Sequence, residues 1–353
     1  MGAAAFIMAE TLGIKYKEIV VAAAIPALIY YLGIIFQIQL RASKDKLDGM
    51  PRDQLPKVKE TLKMYWHLTI PILFLVYMLF FSGYTVIKGA FLTILLTIII
   101  AQLKKETRMS LKDIEAAFVA SAKSTVSVAI ACACVGIVIG VSSLTGFTIN
   151  MASAIISLGG KSLLLTLVFT MVTCMLLGMG LPSIPAYIIT VTIAAPALIE
   201  LGIAPLAAHL FCFYFAMFAN ITPPVALASF AAAGISGGNP MKTGIVSIKL
   251  ALAGFIIPYM FVYNNQLLLM NTNILQGIQV ALTACVGVFL ISAAVEGYFH
   301  TKVNIFMRLV MLAGAFLLID SALLTDLAGV GIFVASIFIQ RILARREARH
   351  AAA

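Results

Sequence analysis

Apolar residues run through this chain in long unbroken blocks, and the polar positions gather in short clusters between them. A helix needs about 20 apolar residues to cross the roughly 30 Å hydrocarbon core, and about eleven such segments can be marked off here. The strands of a membrane barrel would instead alternate residue by residue. The pattern predicts an all-α polytopic membrane protein.

Taken in order, residues 1–9 are too short to span and look like the tail of a longer helix, in a first block that ends at residue 17. Residues 18–40 read as a span. The loop 41–63 carries Arg41, Lys44, Lys46, Arg52, Lys57, Lys59 and Lys63, which the positive-inside tendency places in the cytoplasm. The same loop also reads as an amphipathic helix lying along the headgroups on that side. Residues 67–81 and 84–103 form a pair joined at Ser82-Gly83 and return to a second basic loop with Lys104, Lys105, Arg108 and Lys112. Lys123 is expected just inside the next helix, its stem snorkelling to the interface. That span ends near Thr145-Gly146, closing a scaffold-type block over 18–145, and a glycine-bearing segment leads to Lys161 outside.

The block 146–242 reads differently. Residues 162–199 are apolar but interrupted by Gly-Met-Gly-Leu-Pro-Ser-Ile-Pro at 178–185, and 206–234 are interrupted by Asn-Ile-Thr-Pro-Pro at 220–224. Proline lacks the N–H and clashes with the preceding turn, so each cluster is expected to unwind its helix. Each arm of the first element has about 14 or 15 residues, reaching roughly 22 Å, short of a full crossing. A re-entrant hairpin fits that length; one kinked helix also fits, but would move the chain to the other side and spoil the charge assignment downstream. With the hairpin, Lys242 lies inside. Residues 243–264 then return outward, with Lys249 near the start, and 265–353 add further helices. In that region Glu296, His300, Lys302 and Arg308 mark the inner side, Asp326 marks an outer turn, and Arg341, Arg345, Arg346 and Arg349 mark the inner tail.

Composition agrees. Of 353 residues 62% are hydrophobic and 11% charged, which excludes a soluble globule. The net charge of +10 lies in short loops between apolar runs, so it reports topology and not nucleic-acid binding. Cys132, Cys134, Cys174, Cys212 and Cys285 sit inside apolar segments without metal-ligand or CxxC spacing. HExxH and paired intramembrane carboxylates are missing from the sequence, which argues against an intramembrane enzyme.

The two interruptions carry the candidate chemistry. Freed backbone groups at membrane depth are tolerated only where they face protein, water or a bound ion. Between the two loops Glu200 and His209 alone readily carry charge, Glu200 near an interface and His209 without a partner in the sequence pattern. Neutral oxygens therefore have to hold the ligand: Ser183, Asn220 and Thr222, with carbonyls near Gly180 and Ala219. Gly180, Pro182, Pro223 and Pro224 shape the loops. Proton coupling would call for an embedded carboxylate or histidine. His209 reads as packed or interfacial and Asp320 as lying near a helix end, so Na+ is favoured as the coupling ion, with no cofactor. Residues 22–31 (AAAIPALIYY) and 254–263 (GFIIPYMFVY) share Ile, Pro and Tyr in register while running in opposite senses, the mark of an inverted-topology repeat. By that logic the mate of the Thr222-Pro223-Pro224 break belongs just before Met1, and the first repeat is incomplete.

The runs GMGLPSIPAYIITVTIAAPALIELGIAPLAAH and NITPPVALASFAAAGISGGNPMKTG closely resemble the large membrane subunit of tripartite ATP-independent periplasmic (TRAP) transporters, as do MGAAAFIMAE and AAAIPALIYYLG. EGYFHTK and LLTDLAGVG resemble the extra C-terminal helices of the type in which small and large subunits are fused. The resemblance implies a sodium-driven importer of small organic anions such as carboxylates, built as an elevator with hairpins on a scaffold in a bacterial or archaeal cytoplasmic membrane. It also implies a periplasmic substrate-binding protein and a small membrane subunit, or the missing N-terminal half, as partners besides lipid. Residues 162–199 then look like the second hairpin and Asn220–Pro224 like the unwound helix facing it. A channel, or a secondary transporter that needs no binding protein, is the alternative.

Overall fold

The computed structural model describes residues 2–352 apart from 48, 50, 52–54, 56, 161, 271 and 319–322. Arg52, Lys161 and Asp320 of the charge reading, and the side chains of Arg346 and Arg349, lie outside the described residues. Apart from one isolated β-bridge between Tyr298 and Lys302, the regular structure among the described residues is helical. Seven of these helices are long and apolar enough to cross a membrane, and six shorter apolar ones accompany them. The chain divides into two compact units, Met1–Glu18 with Asp48–Ala133, and Ile19–Leu47 with Cys134–Ala353.

The first unit holds α1 (Ala4–Leu12), the start of α2 (Tyr16–Lys44), α3 (Val58–Tyr65), α4 (Thr69–Phe80), α5 (Val86–Ala101) and the first part of α6 (Leu111–Leu144). α3 has no buried residue and runs on through Trp66–Leu68 into α4, and Val58–Phe80 taken together is long and apolar enough to cross a membrane. α4 and α5 pack together across the turn at Ser82, whose hydroxyl donates to Met78 O at 2.6 Å and accepts from Tyr84 N–H at 3.2 Å. Their other end is closed by the second basic loop. Buried His67 shares a 3.0 Å hydrogen bond with Thr107, and the Lys104 ammonium donates to Met64 O at 2.5 Å, filling an orphan carbonyl of α3. α6 begins earlier than expected because Ser110 and Asp113 cap it reciprocally: the Ser110 hydroxyl accepts from Asp113 N–H at 3.2 Å and the Asp113 carboxylate from Ser110 N–H at 2.8 Å. Lys123 therefore sits about 18 Å along the helix from Leu111, not just inside its end.

The second unit continues α2 and α6 and adds α7 (Phe147–Gly159), α8 (Leu163–Gly178), α9 (Ser183–Glu200), α10 (Pro205–Phe218), α11 (Leu227–Ser236) and α12 (Pro240–Tyr263). After these come α13 (Ile274–Glu296), α14 (Ile305–Leu317) and α15 (Leu323–Ala352). α8, α9 and α10 pack pairwise on one another, α7 lies across α8 and α9, and α12 joins α10 to α13. Aromatic rings fill the α10–α12 seam, with Phe218 stacked on Phe255 at 4.5 Å and Phe211 edge-on to Tyr259 at 5.4 Å.

The register of α2 settles its direction. Gly33 lies where a Cβ would meet Ala253 and Val288, Phe36 packs edge-on to Phe289, and Arg41 and Lys44 reach Glu296 at the end of α13. α2 thus runs parallel to α13. Because α12 turns back into α13 through residues 264–273, α2 and α12 are antiparallel. The similar segments 22–31 and 254–263 run in opposite directions, with the Tyr30 ring against Gly254. Asp326 departs from expectation: α15 starts at Leu323, so this carboxylate lies inside a helix and is buried rather than marking the turn.

Candidate functional site: the hairpin tip and the broken helix

α8 and α9 lie side by side and are joined by residues 179–182 alone. The interruption is half as long as the 178–185 cluster, for a local reason. Pro185 falls in the first turn of α9, where its missing N–H would have had no intrahelical partner, so it starts a helix instead of breaking one. The tip is shaped by Gly180, at φ 75° in the left-handed region, and by extended Pro182 at the helix boundary.

The facing break runs from Ala219 to Ala226 between α10 and α11. It is cross-braced: Asn220 O accepts from Ala228 N–H at 2.9 Å, Ile221 O from the Ser229 hydroxyl at 3.1 Å, and Thr222 O from Ala226 N–H at 3.2 Å. Pro223 and Pro224 are joined by a cis peptide bond, and Ala226 takes a left-handed conformation at φ 38°. The α12 helix makes room for this loop through Gly244, where a Cβ would stand 2.8 Å from Pro223 Cγ.

Tip and break meet. Gly178, the last residue of α8, lies so close to α10 that a Cβ on it would be 2.8 Å from Ala216 O and 2.9 Å from Ala216 Cα. Two residues on, a Cβ on Gly180 would be 3.7 Å from Val225 Cγ1. The C-terminal ends of α8 and α10 and the N-terminal end of α9 therefore converge, offering carbonyl oxygens to a cation and N–H groups to an anion. Ser183, Asn220 and Thr222, on the tip and the break, are half-buried, and Gly180, Pro182 and Pro224 are exposed. The Thr222 hydroxyl donates to Phe218 O at 2.8 Å, leaving its lone pairs free to coordinate. Ala219 O accepts from Thr222 N–H at a long 3.4 Å and keeps coordinating capacity. Among the described residues no hydrogen bond joins Ser183 to Asn220 or Thr222, and no group of three or more His, Cys, Asp and Glu side chains could hold a metal. The oxygens available here are neutral.

His209 is not alone. It is buried on α10, and its Nδ1 shares a 2.8 Å hydrogen bond with the hydroxyl of fully buried Tyr187 on α9. Sequence reading missed this pair, together with the Gly178–Ala216 and Gly244–Pro223 approaches, because each joins different helices. The nearest signal was the presence of single polar or glycine positions in otherwise apolar runs.

Residues 1–275 match the family described as "Tripartite ATP-independent periplasmic transporter, DctM component". The chain belongs to this family. It is a transporter component and not an enzyme family, and with its apolar helices the chain is a multi-pass membrane permease. The match covers the hairpin, the break and α12, and ends as α13 begins, so α14 and α15 lie outside it. No curated protein and no solved structure matches the chain.

Proposed function

We propose that the chain is the membrane permease component of a sodium-driven importer of small organic anions, carboxylates foremost, supplied by a periplasmic binding protein and acting with a small membrane subunit. The observation that carries this reading is the convergence of three helix ends at Gly180 and Val225, with Ser183 three residues on from Gly180 and with Asn220 and Thr222 in the same break as Val225, and no fixed charge in either loop. Carbonyl and hydroxyl oxygens at helix C-termini suit a hard monovalent cation, by extension from calcium and magnesium. The N-terminus of α9 beside them suits a carboxylate, and charge neutralisation would make each ligand favour the other. Broken helices at membrane depth serve this purpose in secondary transporters. Family membership supports the same assignment.

The test is uptake into proteoliposomes holding the full chain, the small subunit and the binding protein. Replacing Ser183, Asn220 and Thr222 together by Ala should abolish sodium-dependent uptake while leaving the protein folded. Unchanged sodium dependence would remove these residues as ligands, and conductance without a binding protein would favour a channel.

A further inference from the structure

Among the described residues two carboxylates are buried in the helices α13–α15, and their surroundings are opposite. Glu296, 8% exposed, ends α13 with Lys44 Nζ at 2.9 Å and Arg41 Nη1 at 3.2 Å from the same oxygen. Asp326, 6% exposed, sits in the first turns of α15; among the described residues its carboxylate oxygens make no well-formed hydrogen bond, and the polar group facing them is the uncharged carboxamide of Gln279 on α13. An ionised carboxylate in apolar surroundings costs several kcal/mol unless it is paired. Glu296 meets that condition and Asp326 does not.

Among the described residues no cation is placed to change this. α15 packs on α13 and α14. On α13 the groups able to titrate are Cys285 and Glu296, the latter at the far end. On α14 Arg308 is committed to that same far end, where its Nε donates to Ala294 O at 2.5 Å and its Nη2 to Val295 O at 3.1 Å. On α15 itself Arg341 and Arg345 lie about four turns or more from Asp326. Beside Asp326 the packing is tight and, Gln279 apart, without a side chain that could carry a compensating charge: one turn on, a Cβ at Gly329 would meet Leu318 and the carbonyl of Gly314.

We propose that Asp326 holds a proton, and is a proton-binding site within the C-terminal helices, separate from the hairpin site and outside the part of the chain that matches the family. An ionisable group inside a membrane helix is a functional site by default. A neutral carboxylic acid is the form this location accepts. Loss of the proton requires water to reach the α13–α15 packing, so exchange at Asp326 is linked to opening of that bundle.

A hydrophobic carbodiimide tests this directly. It dissolves in the bilayer and adds to a protonated carboxyl group: the acid proton goes to a carbodiimide nitrogen, the carboxyl oxygen bonds to the central carbon, and the adduct rearranges to a stable N-acylurea with nothing released. The full chain in lipid vesicles at neutral pH is expected to carry the label on the Asp326 peptide, with Glu296 unmodified in the same molecule. Peptide mapping of the unmutated chain gives the result even if variants fold poorly. Asp326→Asn, an uncharged near-isostere, should lose the label and keep its melting temperature. Absence of label on Asp326, equal labelling of Glu296, or protection of Asp326 by Na+ relative to choline would each overturn the assignment; the last would mean an ionised carboxylate holding an alkali cation.

Discussion

Lys44 and Glu296 meet twice: the ammonium lies 2.9 Å from the carboxylate Oε1 and donates at 2.7 Å to the backbone oxygen of the same residue. One side chain thus neutralises a buried acid and fills an orphan carbonyl at the end of α13, where a positive charge also suits the helix dipole. Arg308 fills the two carbonyls before it, at Ala294 and Val295. The end of α2 is thereby fastened to the end of α13. Glu296→Ala should lower stability by about 1–3 kcal/mol, the scale of lost charge-assisted hydrogen bonds with partly exposed partners. Thermal unfolding of the purified chain checks this. A Lys44→Met and Glu296→Gln double-mutant cycle should show strong coupling, and additive effects would deny the direct interaction.

Gly178 gives the second prediction. Its neighbours on α10 are backbone atoms of Ala216, within 2.8–3.2 Å of where a Cβ would stand, and backbone cannot step aside as a flexible side chain can. Gly178→Ala is therefore expected to push the hairpin from α10 and cost about 1–3 kcal/mol, the usual price of overpacking. Gly136→Ala and Gly140→Ala on α6 meet open space. Those changes should be neutral or stabilising by up to about 1 kcal/mol, because alanine is the better helix former. Equal melting temperatures for all three variants would contradict the close approach.

Gly244 tests the other side of the site. A Cβ there would stand 2.8 Å from Pro223 Cγ and 3.3 Å from its Cδ. Pro223 is fixed in a rigid ring and held in a loop braced to Ala228 and Ser229, so it has little freedom to yield. Gly244→Ala should displace the break relative to α12, weakening sodium-dependent uptake more than it lowers melting temperature. A melting temperature that falls while the sodium dependence of uptake is unaltered would restrict Gly244 to a packing role.

The broken elements were legible because proline and glycine clusters stand out within uncharged apolar runs, and because the prolines remove donors wherever they fall. Their edges were less legible. Pro185 reads as a breaker by residue type, yet position within the first turn makes it compatible with a helix. The start of α6 was hidden for a similar reason, since Lys112 and Asp113 look like loop residues until Ser110 and Asp113 are seen to cap each other. Pairings between distant segments left no periodic trace: Lys44 and Glu296 are 252 positions apart, and Tyr187 and His209 are on different helices. Asp326 reads as a turn residue because charge in an apolar chain usually marks a boundary, and only packing shows it buried.

The Tyr187–His209 hydrogen bond supplies the last prediction. At 2.8 Å between two buried residues, it links the second arm of the hairpin to α10 four residues beyond the start of α9. Tyr187 also packs edge-on to Phe213, so its ring is held by apolar contact on α10 as well as by the hydroxyl. Tyr187→Phe keeps the ring and removes the hydroxyl alone, leaving His209 Nδ1 buried without that partner. The expected cost is about 1–3 kcal/mol, the desolvation penalty of an unsatisfied polar group. His209→Leu removes the group that needs the partner, and in the Tyr187→Phe background it should recover much of the loss, because replacing both partners by apolar groups of similar shape is nearly neutral. Melting temperatures of the four proteins, wild type included, read this as a cycle. If the double variant falls by the sum of the single losses, the pair does not act as a unit, and the hairpin is held to α10 by the Gly178 approach and apolar packing alone.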